Sequence, residues 1–335
     1  MRIVHRRIVA RNGRASRIRL YFLGDSHYGA AATAKGELAA TIAAIQRDPD
    51  AYWLGMGDYL DAIAFGDKRF DARTLDPEIW RECGQNIGHY WDTTKRHYAQ
   101  LLRPIYDKCL GLLEGNHEQT ALTKHNLSVV QYLIDDYCDW ATDRRKPLAV
   151  NPWVEPLDDC AVLLLHFAAG NRRTDLVVYA THGAGRAMTT GGRINRLESV
   201  MAWLPEADLY VCGHFHDRIV RPREVLTVSR NIENPHLVAV EKLFVLVPSF
   251  LRTYIPGTST YSSRGQYPPS VIGGYPVDVW PFGDRRRERR GDKVTSEFNR
   301  PLLRAIVDIF AGPPPALTCK PSLQVAARHF RAVII

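Results

Sequence analysis

The sequence predicts an α/β fold. Two observations carry this. Short apolar runs alternate with stretches of helical periodicity through the first two thirds of the chain, and such alternation implies sheets covered by helices. At least four of the apolar runs also stop in a glycine-led polar motif. A strand that ends in a glycine turn delivers the next side chain to the rim of its sheet.

Taken in order, residues 2–11 and 15–23 read as paired strands, because Asn12-Gly13 is a two-residue hairpin signal. The second strand leads into Gly24-Asp25-Ser26-His27. Residues 35–47 place Leu38, Ile42 and Ile45 close to helical spacing. Strand 51–56 leads into Gly57-Asp58. Residues 77–104, rich in aromatic and charged side chains, read as a long helical stretch. Strand 109–113 leads into Gly115-Asn116-His117-Glu118, and a helix is expected near 127–138. Strands 160–167 and 175–180 follow, the second leading into Thr181-His182-Gly183. A helix near 192–203 precedes strand 208–212, which leads into Gly213-His214-Phe215-His216. Further β segments are expected at 236–249 and 276–280. Proline and glycine are densest at 248–284 and 312–315, which suggests irregular structure late in the chain.

The chain has 335 residues, 45% apolar and 24% charged. This composition fits a globular protein with a sizeable core and excludes a disordered chain. No run reaches the length and apolarity of a transmembrane helix. The N-terminus lacks a secretory core. The six cysteines are scattered without CxxC spacing and read as reduced thiols. A cytoplasmic protein without a membrane partner is expected.

Net charge is +8, with pI near 9.2. Residues 1–19 hold seven arginines and no acid, and residues 285–290 read RRRERR. Such clusters suit a polyanion, nucleic acid first. Solvated loops are the plainer explanation. Tyr254, Tyr261, Tyr267, Tyr275, Trp280 and Phe282 could stack on bases or simply pack a β-rich appendage.

The five motifs offer imidazole, carboxylate and amide oxygen. That mixture suits Mn, Fe, Zn or Co and not a purely hard site for Ca. No thiolate takes part, which excludes a structural zinc finger. Seven donors are too many for one tetrahedral ion and suit two ions sharing a carboxylate, an arrangement used for displacement at phosphorus. Singly, each motif is more often a turn or a core histidine. Their occurrence in order, each near a strand end, is what carries the reading.

The series D-x-H, G-D, G-N-H-[DE], H, G-H-x-H resembles that of the calcineurin-like metallophosphoesterases, over roughly residues 17–250. The resemblance implies a β-sandwich flanked by helices, a four-layer αββα fold. It implies that Asp25, His27 and His216 hold one metal, that Asn116, His182 and His214 hold a second, and that Asp58 bridges them. It implies that His117 protonates the leaving oxygen or stabilises its charge and that Glu118 orients His117. Two divalent ions are the expected cofactors, Mn first, with Fe, Zn or Co as the alternatives.

The catalytic domain is then expected over 1–250, with 251–335 a β-rich or irregular extension that closes it. Asp58 and Asn116 lie 58 positions apart, more than a strand–helix–strand step needs. The inserted segment, about 61–108, reads as a packed helical pair that could also cap the site. His89, His97, His125 and His166 match no ligand position and read as structural or surface residues. The expected activity is phosphoester hydrolysis, favouring a phosphodiester and with nucleic acid a candidate substrate. The alternatives are hydrolysis of small phosphorylated molecules or phosphoproteins, and a non-catalytic scaffold of the same fold. The complete ligand set argues against the scaffold.

Overall fold

The computed structural model describes residues 1–11, 16–61, 70–143, 148–185, 187, 189–229, 233–257, 260–290 and 293–305, with the backbone alone at 125, 261 and 283–305. All of them belong to one compact unit, Met1–Ala305. In chain order the elements are β1 (Arg2–Val9), β2 (Ile18–Leu23), α1 (Lys35–Arg47), β3 (Ala51–Gly55), α2 (Pro77–Glu82), α3 (Ile87–Leu102), β4 (Cys109–Leu112), α4 (Asn116–His125), α5 (Val129–Thr142), β5 (Cys160–Ala169), β6 (Arg172–Thr181), α6 (Thr190–Val200), β7 (Leu209–Cys212), β8 (Ile219–Val228), β9 (Leu237–Leu246), α7 (Tyr261–Arg264), β10 (Tyr275–Arg290) and β11 (Lys293–Ala305).

The strands form two sheets. One runs β1-β5-β6-β7-β9-β8, the other β11-β10-β2-β3-β4. Their inner faces share one apolar core. Leu20, Phe22, Leu54 and Leu110 of the second sheet meet Leu163, Leu176, Val211 and Val245 of the first. Alternation on β2 sends Tyr21 and Leu23 to the opposite face from Leu20 and Phe22, and all four are buried. Helix α1 packs beside β3 and buries Leu38, Ile42 and Ile45. On the far face of the first sheet, α6 packs Ile194, Leu197 and Val200 against Tyr210 and Phe244. The result is the α/β sandwich flanked by helices that the sequence predicts.

The expected N-terminal hairpin does not form. β1 pairs in parallel with β5, from Arg2 opposite Ala161 to Val9 opposite Ala168. β2 lies between β10 and β3 in the other sheet. The burial patterns explain the separation. β1 buries alternate residues and suits an edge, whereas β2 is buried or half-buried throughout and needs neighbours on both sides. Asn12 and Gly13 themselves lie outside the described residues.

The 77–104 stretch divides. Asp76 caps α2, accepting from Glu78 N and Ile79 N, and Asn86 caps α3, accepting from Gly88 N. Gly84 and Gln85, both at positive φ, separate the two helices. Among the elements additional to the sequence reading are α4, which begins at Asn116, and β8, whose residues are mostly exposed and carry no apolar run. β10 adds directly to β2, so residues 275–305 are part of the second sheet. The five described cysteines are free thiols. Among the described residues no helix is long and apolar enough to cross a membrane.

Candidate metal centre

Three motif loops leave the parallel strands β2, β3 and β4, and two leave the parallel strands β6 and β7. The expected rim is therefore shared by two sheets, three loops from one and two from the other. Backbone bonds register the loops: Asp25 N donates to Gly57 O (2.9 Å), His27 N to Asp58 O (3.1 Å) and Gly213 N to Thr181 O (3.2 Å). Close approach explains two of the glycines. A Cβ at Gly57, where φ is +87°, would lie 2.5 Å from Gly115 N. A Cβ at Gly115 would lie 2.1 Å from Asp58 Oδ1.

Nine non-glycine residues are described with positive φ, and five of them are Asp25, His27, Asp58, His214 and His216. A left-handed backbone is unfavourable for side chains of this kind and persists where the surroundings enforce it. Here it turns five donors toward one point.

All seven expected ligands meet there. His27 Nε2 lies 3.2 Å from His216 Nε2 and 3.8 Å from Asp58 Oδ2. Asp25 Oδ1 is 3.2 Å from His216 Nε2. On the other side of Asp58, Oδ2 is 3.4 Å from His182 Nε2, which is 3.2 Å from Asn116 Oδ1. Three overlapping groups could each hold a metal ion: Asp25, His27 and His216; His27, Asp58 and His117; and Asp58, His182 and His214.

The imidazoles are fixed from behind. His182 Nδ1 donates to Met56 O (2.8 Å), which aims Nε2 at Asp58 and Asn116. His214 Nε2 donates to Gly185 O (2.8 Å), which leaves Nδ1 for the site. Burial pushes the His27 and His214 imidazoles toward the neutral, ligating form. Burial opposes the charge on His182 too, but Asp58 overrides it and raises that imidazole to about 10. Burial also opposes the charge on Asp58, yet the imidazoles of His182 and His117 hold its carboxyl well below the usual range.

The donor set fits divalent cations. Asp25 is fully buried, and its Oδ2 accepts from His214 N (2.9 Å). Its Oδ1 is buried without a hydrogen-bond partner, a costly state for a carboxylate oxygen that faces only a ligating imidazole. A cation is the partner such an oxygen fits.

Glu118 is placed differently from the sequence expectation. Its carboxylate accepts from the backbone N–H of Asp58 (2.7 Å), Tyr59 (2.8 Å) and Gly115 (2.9 Å), with Leu60 N at 3.5 Å. It cross-ties two ligand loops and is not hydrogen-bonded to the His117 ring. Burial and the nearby Asp58 charge push it up to about 7. The carboxylate described beside His117 is Asp61, whose Oδ1 is 3.7 Å from His117 Nδ1 and 3.4 Å from His27 Nδ1. The signal for Asp61 is the second acid of Gly57-Asp58-Tyr59-Leu60-Asp61.

Sequence reasoning also passed over Arg193 and Asp217. Arg193 is buried. Its Nη1 bonds Asp217 Oδ2 (2.7 Å) and its Nε donates to Ala187 O (2.9 Å). It thereby braces the residue after His216 and the loop whose Gly185 carbonyl holds His214. Arg193→Ala is expected to weaken Mn binding by about 10- to 100-fold with an unchanged far-UV circular dichroism spectrum. A metal titration checks this, and unaltered affinity would show that the brace is dispensable.

A cavity of about 600 Å³ opens from the ligands toward residues 251–269. Of the described part of 61–108, Asp61 and Thr74 alone line it. The described helices of that segment pack beside the site, with Tyr90 and Tyr98 buried, and residues 62–69 lie outside the described residues. The residues expected to bind a polyanion are dispersed. Arg6 and Arg2 pair with Glu155, Arg17 with Asp48, and Arg19 with Asp278. Tyr275 and Phe282 are in the core, whereas Tyr267 lines the cavity. The side chains of Tyr261 and of 285–290 lie outside the described residues. His166 bonds His5 and Asp175 (2.8 and 2.7 Å), and His97 bonds Glu82 (3.0 Å), all away from the centre.

No protein-family model matches the sequence, and no curated protein matches it. Solved structures do. GAP50, described as the anchor in the inner membrane complex of Plasmodium, is similar over 85% of this chain and 88% of its own, at 11% identity and a TM-score of 0.37. A conserved uncharacterized protein of Streptococcus pneumoniae, described as a predicted phosphoesterase, is similar over 78% and 83%, at 10% identity and a TM-score of 0.28. A protein of unknown function from Aquifex aeolicus is similar over 59% and 80%, at 15% identity and a TM-score of 0.28.

Proposed function

We propose that this chain hydrolyses phosphoesters, favouring phosphodiesters, with two divalent cations held by Asp25, His27 and His216 on one side and Asn116, His182 and His214 on the other, Asp58 being shared. The observation that carries this reading is the convergence of the seven donors around buried carboxylates, one of whose oxygens has no hydrogen-bond partner. When bound, two such ions supply a nucleophilic water at neutral pH and neutralise charge on the phosphoryl oxygens.

The protein's own residues supply the remaining work. His117 lines the cavity and has its Nδ1 near Asp61 Oδ1. Asp61 faces Nδ1, which leaves Nε2 as the ring nitrogen to deliver a proton to the departing alkoxide. The backbone N–H of His117 donates to Asp58 Oδ1 (2.9 Å), so the acid and the shared ligand move together.

His117→Ala is expected to lower kcat on an alkyl phosphodiester by ~10²- to 10⁴-fold. The loss should be much smaller on bis-p-nitrophenyl phosphate, whose leaving group needs no proton. Asp61→Asn should show the same leaving-group dependence with a smaller loss. If His117→Ala hydrolyses the alkyl ester like the unaltered protein, the acid assignment is wrong. The reading as a whole is tested by metal analysis and by turnover of bis-p-nitrophenyl phosphate in Mn buffer. A protein without metal and without turnover would instead be a scaffold.

A further inference from the structure

We propose that the alcohol carried by the scissile phosphate is an uncharged, ring-bearing group of nucleoside size, and that the cavity wall built by residues 251–257, residues 260–269 and the start of α6 selects it against polyanions. This rests on the phosphoester reading above, because the wall is contiguous with the metal ligands.

Size is the first argument. A cavity of about 600 Å³ falls within the range of about 300–1,000 Å³ typical of small-molecule sites. It suits one compact group beside the phosphate.

The second argument is what the wall offers a ligand. Leu251, Ile255, Pro268 and Pro269 present hydrocarbon, which suits the face of a ring. Thr74, Thr189, Thr253 and Thr260 also line the cavity, but their hydroxyls already hold the wall together. Thr253 Oγ1 donates to Pro268 O (3.2 Å), Thr260 Oγ1 to Thr253 O (2.8 Å) and Thr74 Oγ1 to Asp71 O (2.7 Å). Thr189 Oγ1 accepts from Gly192 N (3.2 Å). The oxygens of Thr253 and Thr260 also accept, from Ser270 N (3.1 Å) and Ser263 N (3.0 Å), so what these two residues keep for a ligand is methyl groups. At these positions a methyl-lined wall suits an uncharged ring and gives phosphate oxygens nothing to bond.

Charge is the third argument. Among the described wall residues the guanidinium is that of Arg193, and Asp217 neutralises it while Ala187 O takes its Nε. A second phosphate on the substrate would find that cation already paired and would meet the carboxylate of Asp61. Backbone phosphates are bound by available Lys and Arg, and like charges brought together cost several kcal/mol.

The wall is also fixed in place. Arg252 Nη2 bonds Glu37 Oε1 (2.6 Å) and Leu251 N donates to Ser249 Oγ (2.8 Å). Ser249 Oγ in turn donates to Asp25 O (2.9 Å), so the wall is tied to a metal ligand's own backbone.

The test uses the full chain in Mn buffer and two esters with the same leaving group, thymidine 5′-(p-nitrophenyl phosphate) and its 3′-phosphorylated derivative. The first should have at least a ~10-fold higher kcat/KM. Thymidine 5′-monophosphate should likewise bind more tightly than thymidine 3′,5′-bisphosphate by calorimetry. Ile255→Lys should abolish both preferences. Equal or better use of the 3′-phosphorylated ester overturns the proposal, and hydrolysis itself then still stands. If no ester is cleaved but the monophosphate is bound in preference, the phosphoester reading fails and the wall assignment survives. Should neither nucleotide bind and neither ester react, both fail.

Discussion

Asp58→Asn is expected to abolish metal-dependent turnover while leaving the fold intact. The substitution is nearly isosteric. Asn tolerates the left-handed backbone at this position, where φ is +52°. The amide oxygen could still accept from His117 N, as Asp58 Oδ1 does (2.9 Å). What is lost is the negative charge between His27 Nε2 and His182 Nε2, 3.8 and 3.4 Å from Oδ2. In the proposed centre an amide cannot supply the charge that two cations would share. Removing a group that only supports a ligand costs about 10- to 100-fold, so losing the shared ligand should cost at least ~10²-fold in kcat/KM. The thermal midpoint of the unaltered protein should rise when Mn is added, because a ligand that binds only the folded state stabilises it. In Asp58→Asn that rise should largely vanish, with an unchanged far-UV spectrum. A variant that kept both its activity and its metal-induced rise would remove Asp58 from the shared position.

The candidate ligands could be read from the sequence because each is local. Asp25, Asp58, Asn116 and His214 follow an apolar strand and a glycine, His182 follows a strand and precedes a glycine, and both signals lie within a few residues of the side chain. The partition of strands between sheets could not be read this way. β1 and β2 are near neighbours in sequence and enter different sheets, since alternation reports which face is buried and not which strand lies alongside. β8 escaped notice because an edge strand exposed along most of its length has no apolar run. Helix α4 was masked by its own chemistry, for Asn116, His117 and Glu118 occupy its first turn. Asp61 and Arg193 act through contacts made only after folding, with His117 and with Asp217. Glu118 was assigned a partner by motif, and its place is set by four backbone N–H groups from two loops that no pattern within one motif can describe.

That placement makes Glu118 the residue whose loss should most harm the folded state. Glu118→Ala would strip the acceptors from the N–H groups of Asp58, Tyr59 and Gly115 in a region where Glu118 is 2% exposed. Each buried donor left unpaired costs about 1–3 kcal/mol, so a loss of about 3 kcal/mol or more is expected. The side chain is too deep for bulk water to replace it fully. Glu118→Gln distinguishes this role from that of orienting His117. Oε1 accepts from Tyr59 N and Oε2 from Asp58 N and Gly115 N, so either orientation of the amide sets its NH₂ group against a backbone donor. Gln should therefore destabilise almost as much as Ala, and both variants should bind Mn weakly because the ties that Glu118 makes between the Asp58 and Asn116 loops are broken, leaving the bond from His117 N to Asp58 Oδ1. A residue that only oriented His117 would behave otherwise: denaturant midpoints and Mn affinity would be unchanged, and turnover alone would fall, most for poor leaving groups. Equilibrium urea unfolding of the metal-free proteins, followed by Mn titration, separates the two. An unfolding midpoint unchanged in Glu118→Ala would return Glu118 to the side of His117.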